Sequence, residues 1–344
     1  MHDKSKLSKV TVVGAGAVGT AVAYAAMIRG SAQRVALYDI ATKKVEAEVQ
    51  DLAHGSQFAE VRDITGGDDP KVAAESDVIV ITAGAKQKPG QTRLDLAEQN
   101  IGILRGMLPQ LLDVAPDAVF VLVTNPVDVL TYEATQFAGL PAGRVLGSGT
   151  LLDTSRLRLM VARKAGVAVS NVHAMMLGEH GDSEFPAWTS ATIGHTPLRE
   201  WERDGKPVFT DAVLDQLAKD VTNAAYEVIE GKGATNYAIG LAAARLIEAI
   251  IDDEGAILPL STVLNDYRGI KDVALSVPSL VGREGVTDHL EIPMSAGERK
   301  QLQHSAATLR AAIDSVDKAD ETKTADDQTA AKKTKKDSTS ADQK

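Results

Sequence analysis

The chain has 344 residues, 44% of them hydrophobic, no cysteine and a net charge of −10. That length is enough for a large α/β unit or two domains. The absence of thiols excludes disulfides, thiolate metal sites and a cysteine nucleophile, and the acidic balance argues against nucleic acid as the main partner.

In chain order, VTVVGAGAVGTAVAYAAMIRG reads as a strand, a glycine turn and an Ala-rich helix. RVALYDI gives a second strand, ATKKVEAEVQDLAHGS a helix, SDVIVITAG a strand, and DLAEQNIGILRGMLPQLL a helix. AVFVLVTNP, VDVLTYEATQFAG and RVLGSG follow as strand, helix and short strand. Strands alternating with helices predict right-handed crossovers and a doubly wound parallel Rossmann sheet, expected as a first domain over residues 9–147.

Residues 148–316 mix short strands such as VHAMMLG with helical apolar spacing, as in VFTDAVLDQLAKDVTNAAYEVIEG and AGERKQLQHSAATLRAAIDSV. With AILPLSTVL and DVALSVPSLVG as later strands, this half is expected to form a second, mixed α+β substrate domain. The helix over 236–253 is expected to pack back on the first domain. From Asp317 to Lys344 seven acids balance seven lysines, and no apolar side chain exceeds alanine, so 317–344 is expected to be a disordered charged tail. No apolar run reaches membrane-spanning length and no leader-like stretch opens the chain, so a cytoplasmic protein without membrane contact is expected.

Gly14, Gly16 and Gly19 form a G-x-G-x-x-G fingerprint between a strand and a helix. The three positions serve a tight turn, backbone approach to a pyrophosphate, and helix-to-strand packing. Asp39 ends the second strand 20 residues after Gly19, where a carboxylate meets the adenosine ribose. Its charge would repel a 2′-phosphate, so the expected cofactor is NAD rather than NADP.

A nicotinamide site needs a proton partner for the hydride step. His180, in GEHGDSEFP, is a lone imidazole in a polar, glycine-rich turn with two more acids close behind. Imidazole exchanges a proton in both directions near neutral pH, provided that its other nitrogen is oriented. In LLDTSRLR, Asp153 and Arg156 stand three residues apart on one helix face. Either they pair with each other, or Asp153 orients His180 while Arg156 grips a substrate carboxylate through its planar fork. No metal is expected.

GAGAVG, TAGAKQKPGQTRLDL, VTNPVD, GSGTLLDTSRLR, GEHGD and KGATNYAIG follow one another in this order. By this ordered set the chain resembles the L-lactate and malate dehydrogenase family from Lys9 to about Val316. The resemblance implies that His180 is the acid/base, that Asp153 is its partner and that Arg156 binds the substrate carboxylate. It also implies that AGAKQKPGQTRLDLAEQN is a mobile loop, with Pro89 and Gly90 at a bend, Gly84 close to the cofactor, and Arg93 stabilising the developing oxyanion. Asn125 would lie near the reacting oxygen and the nicotinamide, and Thr235 beside the substrate side chain.

Gln87 stands where the malate enzymes of the family carry arginine. A second carboxylate would be desolvated there without a partner, so pyruvate and lactate are the expected substrate pair. A malate dehydrogenase, or a non-catalytic NAD-binding protein on the same fold, is the alternative. Arg158 and His173 resemble an inter-subunit anion site that binds fructose 1,6-bisphosphate in many bacterial members. That likeness implies an allosteric homotetramer, and the family a place in glycolysis and fermentation.

Overall fold

A computed structural model describes the backbone of residues 7–86, 90–141 and 143–341, and the side chains as far as Lys318 except that of Arg93. Six strands, β1 (Lys9–Val13), β2 (Arg34–Tyr38), β3 (Asp63–Gly67), β4 (Val78–Ile81), β5 (Val119–Leu122) and β6 (Val145–Gly147), pair in parallel in the order β3-β2-β1-β4-β5-β6. The runs KVTVV, VIVI and VFVL are buried along their whole length. Such runs persist only where helices cover both faces of a sheet. The cover comes from α1 (Ala17–Arg29), α2 (Thr42–His54), α3 (Arg93–Val114) and α4 (Val127–Ala138). On α3, Ile101, Leu104, Leu108 and Leu111 recur at helical spacing and enter one core with Phe120 and Leu122 of β5.

Strand order reverses between β1 and β4, which opens a crevice beyond the carboxyl ends of the strands. The strand β3 has no counterpart among the sequence expectations. DITGG contributes a single buried apolar residue, Ile64, and its two glycines lower strand propensity. Its pairing with β2 makes it a strand, and a Cβ at Gly66 would lie 2.5 Å from the Leu37 carbonyl oxygen.

The second half begins with α5 (Leu151–Ala165). VHAMMLG, expected as one strand, splits into β7 (Val172–His173) and β8 (Met176–Leu177), which enter different sheets. With β8 pairs β9 (Phe185–Pro186); with β7 pairs β10 (Thr192–Ile193), followed by β11 (Thr196–Pro197). A small hairpin, β12 (Glu202–Arg203) and β13 (Lys206–Pro207), precedes α6 (Asp211–Lys232) and α7 (Tyr237–Ile251).

The strands β14 (Ala256–Val263), β15 (Ala274–Gly282) and β16 (Gly285–His289) do not form a separate sheet. They add antiparallel to β6, giving nine strands in all, with Ser261 facing Gly147 at the junction. Helix α7 lies on α1, closely enough that a Cβ at Gly240 would come 2.7 Å from the Ala21 carbonyl oxygen. Arg29 and Glu248 seal that contact at 2.6 Å.

The last helix, α8 (Ala296–Ala341), continues well beyond the point where the sequence reading ends ordered structure. Leu302, Ala306, Leu309, Ile313 and Val316 form its buried stripe, and Asp317 and Lys318 are exposed. Past Val316 the sequence supplies helix-compatible residues but no apolar face to dock, so the extension rests on intrinsic propensity. Among the described residues, no helix is long and apolar enough to cross a membrane.

Candidate active site

The three fingerprint glycines answer to different constraints. Gly14 has φ of +102°, and a Cβ there would meet the Ala83 nitrogen at 2.7 Å, so the turn itself needs glycine. A Cβ at Gly19 would sit 1.8 Å from the Gly14 carbonyl oxygen, so glycine lets α1 pack on the β1 turn. At Gly16 nothing lies within 4 Å and φ is ordinary. The protein gives no internal reason for glycine there. The missing side chain leaves open backbone N–H groups at the start of α1, a fit for a pyrophosphate.

Asp39 follows β2 directly. Its carboxylate accepts from the Ala15 amide at 2.7 Å and the Ala41 amide at 2.9 Å. It therefore braces the glycine turn from the end of β2. Asn125 ends the β5 segment with its side chain exposed.

Asn100 was not singled out from the sequence, because an asparagine inside an amphipathic helix carries no signature. It is buried on α3, accepts from the Ala85 amide at 2.7 Å, and donates to the Asn125 carbonyl at 2.8 Å. One side chain thus ties the segment after β4 to the turn before α4. Gly84 was expected to make room for a cofactor. A Cβ there would lie 2.3 Å from Thr124 Cγ2 and 3.1 Å from Asn100 Oδ1, so packing within the protein already demands glycine.

His180 is held by three elements. Gly178, at φ +97°, exchanges both backbone hydrogen bonds with Ser276 of β15 at 3.0 Å. The Glu179 amide donates to Ser305 of α8 at 2.6 Å, and the His180 amide donates to Asp128 of α4 at 2.7 Å. The loop backbone is thereby fixed before the imidazole makes any contact. The ring Nδ1 then lies 2.7 Å from Asp153 Oδ2, while Asp153 Oδ1 accepts from Arg156 at 2.5 Å. The ion pair with Arg156 and the contact with His180 thus coexist, one on each carboxylate oxygen.

Asp153 is almost fully buried in the first turn of α5, where the helix dipole favours a negative charge. Burial opposes its ionisation, but His180 and Arg156 outweigh it and hold the carboxyl below its ordinary value. Burial likewise opposes a charged imidazole. Asp153, with Glu184 and Asp128 behind it, reverses the balance and raises His180 to about 9. Burial pushes the Asp128 carboxyl up to about 6, against the pull of Ser261 and of the His180 amide and ring. Neither Asp128 nor Glu184 was proposed from sequence, although both lie in quoted motifs.

Thr235 lies half-buried between α6 and α7; no described hydrogen bond joins it to this cluster, and Asn236, not Thr235, is the N-cap of α7. Arg93 is the first residue of α3, inside a capping box in which Thr92 and Asp95 satisfy each other's backbone. Gln87 and Pro89 lie outside the described residues. Gly90 adopts φ of +81°. Arg158 and His173 come together on one apolar-walled cleft of about 450 Å³, with Leu151, Val169 and Leu241 among its walls. His173 is exposed there, and Arg158 donates from Nε to the Ala174 carbonyl at 2.9 Å.

Comparison with known proteins bears directly on this arrangement. Residues 8–147 match the NAD-binding domain of lactate/malate dehydrogenases, and residues 150–319 match the α/β C-terminal domain of the same family. An L-lactate dehydrogenase of Bifidobacterium animalis subsp. lactis is 50% identical over 306 residues, covering 89% of this chain and 96% of the relative. An L-lactate dehydrogenase of Synechococcus sp. is 44% identical, covering 90% of this chain and 99% of its own. The ligand-bound crystal structure of the minor L-lactate dehydrogenase from Enterococcus mundtii superposes with a TM-score of 0.86 at 40% identity, over 90% of this chain and 98% of that one. Two matched domains in sequence, joined in the observed fold, leave one assignment: the chain belongs to the lactate/malate dehydrogenase family.

Proposed function

We infer that the chain is an NAD-dependent L-lactate dehydrogenase that reduces pyruvate reversibly to L-lactate, with His180 as its acid/base. The observation that carries this reading is the division of the Asp153 carboxylate between the His180 ring and Arg156. NADH supplies the hydride in this family's reaction. The remaining work falls to the chain's own side chains.

Arg156 presents a planar fork suited to the carboxylate of a 2-keto acid. Asp153 holds Nδ1 of His180 as the protonated nitrogen, which leaves Nε2 to give a proton to the carbonyl oxygen in reduction and to take it back in lactate oxidation. Arg93, placed at the start of α3, would polarise the carbonyl, and Asn125, Thr235 and Gln87 would line the pocket. Gly14, Gly16 and Gly19 with Asp39 would hold the dinucleotide. Electrostatic stabilisation of a developing oxyanion is typically worth about 3 kcal/mol, the scale assigned to Arg93.

Identity of 50% and 44% to L-lactate dehydrogenases supports the lactate reading over malate. We extend the proposal to a cytoplasmic homotetramer of glycolysis and fermentation, activated by fructose 1,6-bisphosphate at the Arg158–His173 cleft. The deciding measurement is NADH absorbance with pyruvate, oxaloacetate and no substrate in parallel. Oxidation with pyruvate well above that with oxaloacetate is expected; no oxidation with pyruvate overturns the reading.

A further inference from the structure

The motif GEHGDSEFP carries an acid that the reaction as described leaves unused. Glu184 lies beside the catalytic cluster: one ligand-type atom each of Asp153, His180 and Glu184 fall within 4.8 Å of one another. We propose that Glu184 is a positioning residue for keto-acid reduction, a carboxyl group that stays protonated while substrate binds and that opposes capture of the substrate anion once it ionises. This rests on the assignment of Arg156 and His180 under the proposed function.

A charge count supports it. With Asp153 ionised and both Arg156 and protonated His180 positive, these three groups carry one net positive charge, which attracts one substrate carboxylate, while Asp128 adds a negative charge behind the His180 amide. An ionised Glu184 would cancel that charge before substrate arrives, and would give Arg156 a second internal carboxylate to pair with. The local structure points the same way. Glu184 Oε2 is buried without a hydrogen bond of ordinary geometry among the described residues, with the Thr222 hydroxyl of α6 the polar side chain nearest to pairing with the carboxyl. A carboxylate oxygen left so is strongly penalised, whereas the neutral acid is far less so.

The groups that face Glu184 are Asp153 and Arg156 from α5, His180 from its own loop, and the Thr222 hydroxyl from α6. Burial and the Asp153 charge raise Glu184 to about 8, while His180, Thr222 and Arg156 only partly offset them. The neutral acid is thereby favoured well above the range in which an exposed carboxyl ionises.

The test compares wild type with Glu184→Gln, an uncharged isostere, by measuring KM and kcat for pyruvate at saturating NADH from pH 6.5 to 9.5. In wild type, KM should rise through a transition near pH 8. The variant should keep only the rise set by His180, with a KM below wild type throughout the range above pH 8. KM profiles that overlay overturn the role of Glu184, whereas failure of the wild type to reduce pyruvate overturns the functional reading instead.

A measurement on the wild type decides the matter if the variant does not fold. Binding of oxamate, a pyruvate isostere that cannot be reduced, to the NADH complex is followed from pH 7 to 10 by calorimetry in buffers of different ionisation enthalpy. Uptake that climbs above one proton at the alkaline end is expected, because both His180 and Glu184 must then gain one. Uptake that never exceeds one proton, all that His180 alone would require, overturns the proposal.

Discussion

Asp153 and His180 meet at 2.7 Å across the junction of α5 and a loop that begins 25 residues further on, and the carboxylate in that pair is itself held by Arg156. One buried charge therefore fixes both the proposed proton donor and the proposed substrate anchor. Loss of this charge should affect proton transfer and substrate capture together.

Asp153→Asn keeps the volume but removes the charge and permits the wrong imidazole tautomer. A fall in kcat for pyruvate reduction of about 10²–10⁴-fold is expected, with a raised KM because Arg156 loses its brace. NADH affinity, read by cofactor fluorescence, should remain near wild type because the glycine turn is untouched. Turnover within threefold of wild type would remove Asp153 from its proposed role.

The pH dependence follows from the sign of the shifts. His180 is raised from 6.5 to about 9 in the folded chain, so the folded state binds this proton more tightly than the unfolded one. Its stabilising contribution is complete below about 6.5 and disappears as pH rises through about 9. Glu184, raised from 4.5 to about 8, acts in the same direction between those values. Unfolding of the cofactor-free chain by urea should show stability declining from pH 6.5 to 9, at most by about 1.4 kcal/mol per pH unit per proton. Pyruvate reduction, which needs the protonated ring, should fall above about pH 9. Stability that climbs over this interval would contradict the assignment.

Gly16 and Gly19 should separate binding from folding. Gly16→Ala meets open space and an ordinary backbone, so its Tm should change by only a few degrees while NADH affinity drops at least tenfold. Gly19→Ala places a Cβ against the Gly14 carbonyl and should destabilise by about 2 kcal/mol or more. Thermal unfolding with and without NADH distinguishes them. Equal affinity in Gly16→Ala and wild type would show that no pyrophosphate approaches there.

Gln87→Arg should turn preference from pyruvate toward oxaloacetate. Arginine supplies a charge and a bidentate fork for the second carboxylate, whereas with pyruvate the same guanidinium is left unpaired. Catalytic efficiency should rise for oxaloacetate and fall for pyruvate. A variant that still strongly prefers pyruvate would move the specificity role from Gln87 to Lys86 or Lys88.

Fructose 1,6-bisphosphate should lower the pyruvate concentration needed for half-saturation, and Arg158→Gln should abolish the effect. A ligand shifts an assembly only through differential affinity, and phosphate bridging cationic groups of adjacent subunits would provide it. Saturation curves that coincide with and without the effector would dismiss regulation at this cleft.

The sequence by itself determined the parallel nucleotide-binding half. Its signals are local: β-branched runs, helical periodicity and three glycines at fixed spacing, each governed by residues adjacent in the chain. His180, Asp153 and Arg156 were legible for the same reason, since each sits in a short distinctive motif. Periodicity could not decide how the Asp153 charge is divided, because that depends on a contact between α5 and a distant loop.

Other features exist only by virtue of tertiary structure. The glycine-rich strand β3 is made by the edge of β2. The strands β14 to β16 become part of the parallel sheet's own edge through Ser261 and Gly147. Asn100, Asp128 and Glu184 gain their significance from groups on other elements. A buried polar side chain takes its role from whatever partner the fold brings to it, and that partner is not encoded in its neighbours along the chain.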